Sequence, residues 1–416
     1  MSTTSPPRRA GTAGAASDAG STTGALDGIR VLELGQVIAG PFCGQMLADL
    51  GADVVKVEPP AVGDVLRQWG WSPEAGDSLW WRVAGRNKRS ITVDLRTPQG
   101  QTLVRRLVRD VDVVVENFRP GTLERWGLGY DALSSDNPGL ILVRISGFGQ
   151  DGPYARRAGY AAIGEAMGGL RALTGYADRP PTRVGVSLGD SLTGLMGALG
   201  ALAALHARER TGNGQVVDAS IYESVLAITE ALIPEWQVAG VQRERSGPTL
   251  SGIAPSNVYP TRDGQVLLAA NQDSVFRRLT AAMGSPQLAR DPRFVDHKSR
   301  GANMAELDEV IATWTRRHGT DEILSMLHEA AVPCGRVYEP ADMVEDPHFR
   351  ARRSLVEIED GDHGTLIMPG VVPKLSATPG AVRWVGPSLG AHTDEVLAAV
   401  GLAPDEIAAL RFAGAI

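Results

Sequence analysis

The 416-residue sequence is poor in cysteine and in long uninterrupted apolar runs. Cys43 and Cys334 form neither a CxxC pair nor a Cys/His cluster, which argues against a disulfide framework and a thiolate metal site. The longest apolar run, LTGLMGALGALAAL, is about 14 residues long and contains glycine, whereas about 20 residues are needed to cross a bilayer. We therefore expect a buried helix there, no metal, no membrane partner, and a reducing cytoplasm as the compartment.

Neither sign of charge is in large excess, since the sequence contains 41 Lys and Arg residues and 48 Asp and Glu residues. The sequence has no basic blocks, which argues against nucleic acid or an anionic membrane as a partner and leaves a small anionic ligand open. Residues 1–25 are rich in Ser, Thr, Gly, Ala and Pro and lack the apolar core of a secretory signal. They are predicted to form a disordered tail.

The first half of the chain alternates predicted strands and helices. An apolar strand over 29–34 precedes a helix that begins near Pro41 and ends at Gly51, and a second strand over 54–57 follows. Further strands are predicted in SITVDL, VDVVVENF and LILVRIS. This alternation is typical of an α/β fold with a doubly wound parallel sheet.

The pattern changes after residue 225. A helix is followed by a loop, by a hairpin that turns at Asp263-Gly264, and by two amphipathic helical stretches. This segment predicts a second, smaller domain, because 416 residues exceed what one core usually serves. Near AVPCGRVYEPADM the pattern changes again, towards short strands and a final helix.

Ligands of parallel sheets bind at the carboxyl ends of the strands, so the loop at 35–41 is the first candidate site. This loop is not a G-x-G-x-x-G motif, which argues against a dinucleotide-dependent oxidoreductase. Basic residues near other strand ends could bind the phosphates of a nucleotide, and a solvated surface is the alternative. These residues are Arg86, Lys88, Arg89, Arg96, Arg119 and Arg125.

One carboxylate, Asp190, lies in GVSLGDSLTG at the start of the long apolar run. Its small neighbours leave room for a bulky group, and the N-H groups of the following helix would favour an ionised carboxylate. An aspartate in this place is also a common helix N-cap. The local pattern by itself favours the cap, and a nucleophile is the alternative.

Six segments resemble, in order and spacing, the class III CoA-transferases, the family of formyl-CoA transferase and carnitine CoA-transferase. The resemblance covers nearly everything from Leu26 to Ile416. It implies a Rossmann-like large domain over 26–225 and 336–416, a smaller α+β domain over 226–335, and a homodimer of interlocked rings. The segments are LDGIRVLELGQVIAGPFCGQMLADLGADVVKVEPP, RNKRSITVDL, VVVENFRPGTLERWGLGY, GFGQDGPYARRAGY, GDSLTG and PSLGAHTDEVL.

The resemblance also implies a chemistry, in which Asp190 attacks the thioester of a donor acyl-CoA and a small carboxylic acid finally accepts the CoA. Coenzyme A is then a substrate, and no tightly bound cofactor is expected. The predicted CoA-binding set takes Asn117, Arg125 and Arg96 from the resemblance and is completed by Lys88, Arg89 and Val37.

The substrate side of the site is predicted to contain Gln36, Ile38, Tyr160 and Arg183. Ile38 stands where formyl-CoA transferase has a glutamine, which argues against formyl and oxalyl substrates. Arg183 could pair with the far carboxylate of a dicarboxylic acid, so succinyl-CoA is a candidate donor.

Two other functions stay open on the sequence. The family includes 2-methylacyl-CoA racemases, in which a histidine and an aspartate exchange a proton, and Tyr160 stands at the position of that histidine. A phenol is a poor base at neutral pH, but His297, His348 or His392 could fold into the site. The other alternative is a CoA-binding protein without turnover, in which Asp190 only caps a helix.

Overall fold

A six-stranded parallel sheet forms the buried centre of the chain in a computed structural model that describes residues 24–73 and 76–416. Of the predicted tail over 1–25, residues 1–23 lie outside the described residues. The strands of this sheet are β1 (Arg30–Glu33), β2 (Asp53–Glu58), β3 (Lys88–Thr92), β4 (Val113–Glu116), β5 (Ile141–Ser146) and β6 (Val216–Ser220). Their order is β3-β2-β1-β4-β5-β6, and every neighbouring pair is parallel. This is the strand order of a Rossmann fold, which reverses between β1 and β4.

The predicted parallel α/β sheet is confirmed, with two local differences. Strand β3 begins at Lys88, two residues before the predicted strand SITVDL. Strand β6 was not predicted, because its first three residues are exposed or half-buried and the segment contains Asp218. It therefore lacks the continuous apolar run that marks a strand buried on both faces.

The helices alternate with these strands and then dominate the second half of the chain. They are α1 (Ala39–Asp49), α2 (Leu79–Ala84), α3 (Pro98–Val108), α4 (Thr122–Arg125), α5 (Tyr130–Asp136), α6 (Ala161–Met167), α7 (Leu170–Leu173), α8 (Leu188–Thr211), α9 (Ile221–Leu226), α10 (Leu232–Ala239), α11 (Asp273–Ala282), α12 (His297–Ala302), α13 (Met304–Thr315), α14 (Thr320–Glu329), α15 (Pro340–Glu345), α16 (Pro347–Ala351), α17 (Thr393–Ala399) and α18 (Pro404–Phe412), with 3-10 turns at Val65–Gln68 and Pro286–Arg290.

Helices α1 and α8 cover one face of the sheet. Small residues bring them close together, since a side chain at Gly194 would meet the carbonyl oxygen of Ala39 at 2.7 Å. Helix α8 has 24 residues, which is longer than the predicted apolar run and enough, by length and composition, to cross a membrane. In this fold its Gly/Ala face is buried against α1 and β5, with Gly197 in contact with Val143.

The opposite face is covered by helices from both ends of the chain. Helix α3 packs there beside α17 and α18, so that residues 393–412 share one apolar cluster with β1, β2 and β4. The carboxyl-terminal helices thus return to the sheet that the first 220 residues build.

A separate apolar cluster lies within residues 254–334 and combines α11, α13 and α14 with a second sheet. This sheet contains β7 (Ser256–Pro260), β8 (Gln265–Ala269) and β9 (Cys334–Gly335), paired antiparallel. The predicted turn at Asp263-Gly264 lies between β7 and β8, so the hairpin is confirmed. A second hairpin follows, formed by β10 (Leu355–Asp360) and β11 (Gly364–Pro369).

Candidate active site

The loops after β1 and β4 meet where the strand order reverses, which is the place where this fold binds ligands. Asn117, directly after β4, joins the two loops. Its Oδ1 accepts the Gln36 N-H at 2.7 Å, and its Nδ2 donates to the Gln36 carbonyl at 2.7 Å. One N-H of the Asn117 amide remains for a ligand.

The β1 loop is held in a strained conformation by buried charges. Val37 has a φ of 68°, in the left-handed region, which costs a β-branched residue about 1–3 kcal/mol. Its N-H donates to the two carboxylate oxygens of Asp64 at 3.0 and 3.2 Å. The Lys56 ammonium donates to the Gly35 carbonyl and pairs with Asp64 at 2.9 Å and with Glu33 at 3.1 Å. This network of fully buried side chains fixes the shape of the loop.

Lys56 and Asp64 are both charged at neutral pH. Burial by itself would raise the pKa of Asp64, but the Lys56 ammonium and the N-H groups of Leu66 and Val37 hold it below its ordinary value. Burial likewise opposes the charge on Lys56, and the carboxylates of Asp64 and Glu33 nevertheless raise the pKa of its ammonium. Each charge in the loop support therefore depends on its partners.

Asp190 lies in the first turn of α8, as the third residue of the helix. The N-cap is Ser187, and it makes no side-chain cap hydrogen bond. Among residues 24–73 and 76–416, no group donates a hydrogen bond to the Asp190 carboxylate. The expectation of a helix cap at Asp190 is therefore wrong, because the helix starts earlier than the apolar run indicates.

The pKa of Asp190 is raised from 3.8 to about 6, first by burial and then by the negative charge of Glu165, against the opposing effect of Arg183. Such a carboxylate is mostly ionised at neutral pH and is more basic than an exposed aspartate. Because it accepts no hydrogen bond from the described residues, this carboxylate is available to a ligand in the site.

Glu165 was missed by the sequence analysis, although it is the only acid in the stretch AAIGEAMGG. It lies on α6 and is 1% exposed. Its Oε1 accepts the Gly189 N-H at 3.2 Å, and its Oε2 pairs with Arg171 at 3.0 Å. Glu165 therefore fixes the backbone directly before Asp190. A lone carboxylate among Ala and Gly residues was the available signal.

These elements enclose a cavity of about 560 Å³, named here the Asp190 cavity. Trp69, Phe118 and Ile221 contribute apolar walls, and the backbone at 146–147 closes the end near β5. The cavity brings together seven residues of the predicted site: Gln36, Val37, Ile38, Asn117, Tyr160, Arg183 and Asp190.

Tyr160 lies at the mouth of this cavity and is 75% exposed. It is the N-cap residue of α6, and its side chain makes no cap bond. All seven histidines of the chain are within the described residues, and none lines the Asp190 cavity. His297, His348 and His392 therefore do not lie in this lining, where the racemase alternative would need a second base.

Four predicted CoA contacts lie outside the cavity lining. Lys88 is a core residue, since its fully buried ammonium donates to the Pro41 carbonyl at 2.7 Å and pairs with Glu33 at 2.8 Å. Its prediction as a phosphate donor is not compatible with that burial. Arg89 pairs with Asp53 at 2.6 Å near the amino end of β3, on the edge of the sheet away from the site.

Arg96 and Arg125 follow β3 and β4 at the carboxyl edge, which is the edge that carries the site. Arg96 is exposed and pairs with the neighbouring Asp94 at 2.9 Å. Arg125 is exposed on α4 and donates to Thr122 at 3.0 Å. Both are accessible to a ligand that extends beyond the Asp190 cavity, and their contact with CoA stays a prediction.

The fold and the site together define a Rossmann-like α/β protein. The carboxylate of Asp190, which accepts no hydrogen bond from the described residues, lines a cavity at the carboxyl edge of the parallel sheet. Such a group can attack a carbonyl carbon and form a covalent intermediate. The model of CoA-transferase family III matches residues 26–393, and the chain belongs to that family. Its activity is the transfer of CoA, as in its named relatives.

The relatives are similar over nearly their full length. The succinyl-CoA–D-citramalate CoA-transferase of Chloroflexus aurantiacus is 57% identical over 93% of this chain and 96% of the relative. The succinate–glutarate CoA-transferase of Agrobacterium fabrum is 40% identical over 90% of this chain and 95% of the relative. A crystal structure of a CaiB/BaiF family protein from Brucella suis has a TM-score of 0.80 and 36% identity, and covers 91% of this chain and 100% of that one.

Proposed function

We propose that this protein transfers CoA from succinyl-CoA to a second small dicarboxylic acid through covalent intermediates on Asp190. The observation that carries the proposal is the Asp190 carboxylate, which has a raised pKa and accepts no hydrogen bond from the described residues at the ligand-binding edge. The named relatives support the substrates, since they act on succinyl-CoA or on succinate and a second acid.

The reaction runs in two balanced halves. An Asp190 oxygen attacks the thioester carbonyl of the donor, the carbon–sulfur bond breaks, and CoA thiolate leaves a mixed anhydride. The thiolate then attacks the aspartyl carbonyl, which forms an Asp190–CoA thioester and releases the donor acid. In the second half the acceptor carboxylate attacks the aspartyl carbonyl of this thioester, the carbon–sulfur bond breaks, and CoA thiolate leaves a second mixed anhydride. The thiolate then attacks the acceptor carbonyl and displaces the Asp190 carboxylate. The new acyl-CoA and the free carboxylate of Asp190 result.

The described side chains fit distinct parts of these substrates. The remaining N-H of Asn117 can donate to the CoA moiety, and Arg96 and Arg125 lie on the same sheet edge for its phosphates. Arg183 makes no ion pair with the described residues and lines the Asp190 cavity, where it can pair with the distal carboxylate of a succinyl group. No metal or bound cofactor takes part in these steps.

The assembly is part of the same proposal, a homodimer of interlocked rings in the cytoplasm. Large apolar side chains are exposed on three helices, which supports a partner surface. They are Ile163 and Met167 on α6, Leu195 and Leu199 on α8, and Ile233, Trp236 and Val238 on α10.

Trapping of the covalent intermediate tests the function. Incubation with succinyl-CoA is expected to give an Asp190-linked CoA thioester that hydroxylamine converts to a hydroxamate at Asp190, detectable by peptide mass spectrometry. Asp190→Asn is expected to give no adduct and less than about one hundredth of wild-type transfer, because loss of a covalent nucleophile costs several kcal/mol of barrier. Wild-type transfer without any adduct at Asp190 would refute the proposed mechanism.

A further inference from the structure

A second cavity of about 700 Å³ adjoins the Asp190 cavity. The two cavities share three lining residues, Ile38, Arg183 and Ser187, which form the boundary between them. The second cavity is named here the Gln45 cavity. Its walls are mainly apolar and include Phe42, Met46, Leu66, Trp80, Val83 and Ala84.

Gln45 places a polar amide in the mainly apolar wall of this cavity. It lies on α1, lines the cavity and is only 5% exposed. Its side-chain amide has no hydrogen-bond partner in the described part of the chain. The N-H groups of this amide are therefore free to donate to a ligand that enters the cavity.

The two arginines that line the cavity differ in whether their guanidinium groups already have partners in the protein. The Arg86 guanidinium is held by the protein, since it pairs with the Asp49 carboxylate and donates to the Pro369 carbonyl. Arg183 donates only to the Ser187 hydroxyl, at 3.0 Å, and forms no ion pair within residues 24–73 and 76–416. One guanidinium at the boundary and one amide in the Gln45 cavity are therefore free to bind an anion.

We propose that the Gln45 cavity binds the distal carboxylate end of the dicarboxylic acid substrate while its reacting carboxylate lies at Asp190. This inference rests on the proposed function and adds the residues that select the substrate. Gln45 donates its N-H groups to the distal carboxylate, Arg183 supplies the opposite charge, and the apolar walls contact the carbon chain with its branches. The volume leaves room for methyl or hydroxyl substituents on that chain.

The proposal predicts selectivity for an acid with a second carboxylate over a monocarboxylic acid of equal length. The test compares kcat/KM for glutarate and for pentanoate as acceptors, with succinyl-CoA as donor. We expect Gln45→Leu to lower the glutarate-to-pentanoate ratio about tenfold to a hundredfold, as for loss of a hydrogen bond to a charged group. Gln45→Glu keeps the shape of the side chain and repels the carboxylate, so its ratio is expected to fall further.

The control is Gln99→Leu, which changes the same residue type on the exposed start of α3 and is expected to keep the wild-type ratio. Calorimetric binding of glutarate in the presence of CoA is measured in parallel and does not depend on turnover. An unchanged ratio and unchanged glutarate affinity in a folded Gln45 variant would overturn the subsite. Failure of the wild type to transfer CoA to any acid would instead refute the proposed function, and the calorimetry would still decide whether Gln45 binds the acid.

Discussion

Asp190→Asn is expected to stabilise the fold at neutral pH while it abolishes transfer. Burial and Glu165 raise the pKa of Asp190 from 3.8 to about 6, so the folded protein holds this proton more tightly than the unfolded chain does. The protonated Asp190 carboxyl therefore contributes favourably to the stability of the fold. This contribution is complete below the pKa of the unfolded chain and is lost as the pH rises through about 6. Above that pH the ionised carboxylate destabilises the fold by at most about 3 kcal/mol, and partial exposure reduces this to about 1–2 kcal/mol.

Urea unfolding of wild type and variant between pH 5 and pH 8 measures the effect. The gain in stability is expected to be largest at pH 8 and to shrink as the pH falls, because the wild-type carboxylate becomes protonated and neutral like asparagine. Asp131→Asn is the control, an exposed aspartate in the first turn of α5, for which no gain is expected. A less stable Asp190→Asn protein at pH 8, or a gap that does not change with pH, would refute the reasoning and return Asp190 to a structural role.

Glu165→Gln is expected to lower the acid midpoint of the pH profile of kcat/KM from about 6, and Arg183→Gln to raise it, because the first removes a like charge from Asp190 and the second an opposite one. Shifts in the same direction would contradict this assignment. Asp64→Asn is expected to raise the KM for succinyl-CoA about tenfold and to lower the urea midpoint, because it uncouples Lys56 and weakens the support of Val37. Steady-state kinetics like those of wild type would show that the loop does not need Asp64. Light scattering at nanomolar concentration is expected to give a dimer, since interlocked rings do not part on dilution, and a monomer would count against that assembly.

The parts of the fold that the sequence predicted depend on local patterns. Strands β1, β2, β4 and β5 are each built around Val, Leu or Ile residues. The Asp263-Gly264 hairpin depends on two residues with their own turn preference. Strand β6 was not predicted because its sequence, VVDAS, mixes apolar and polar residues. The segments of the site could be located for the same reason. The loops after β1 and β4 and the start of α8 lie directly beside strands and a helix that the sequence predicts.

The basic residues were harder to place, because a sequence shows a charge but not its partner. Strand β3 begins at Lys88, so Lys88 and Arg89 lie at its amino end and not before it in a loop. Side chains alternate along a strand, which turns Lys88 inwards to Glu33 and to the Pro41 carbonyl. The two residue types suit phosphate binding equally well, and the strand boundary alone decides that they do not line the site.

Polar groups around the site fall into two sets that only the structure separates. Lys56 pairs with both Glu33 and Asp64, and because a buried charge is costly without its partner, this set holds the strained Val37 loop. The half-buried Asp190 carboxylate and the buried Gln45 amide line the two cavities and make no side-chain hydrogen bond within the described chain. Pairing thus separates the residues that hold the loop from those that we propose to contact the substrate. An unpaired interior carboxylate or amide lowers stability, and a ligand that pairs with it recovers that free energy as binding or catalysis.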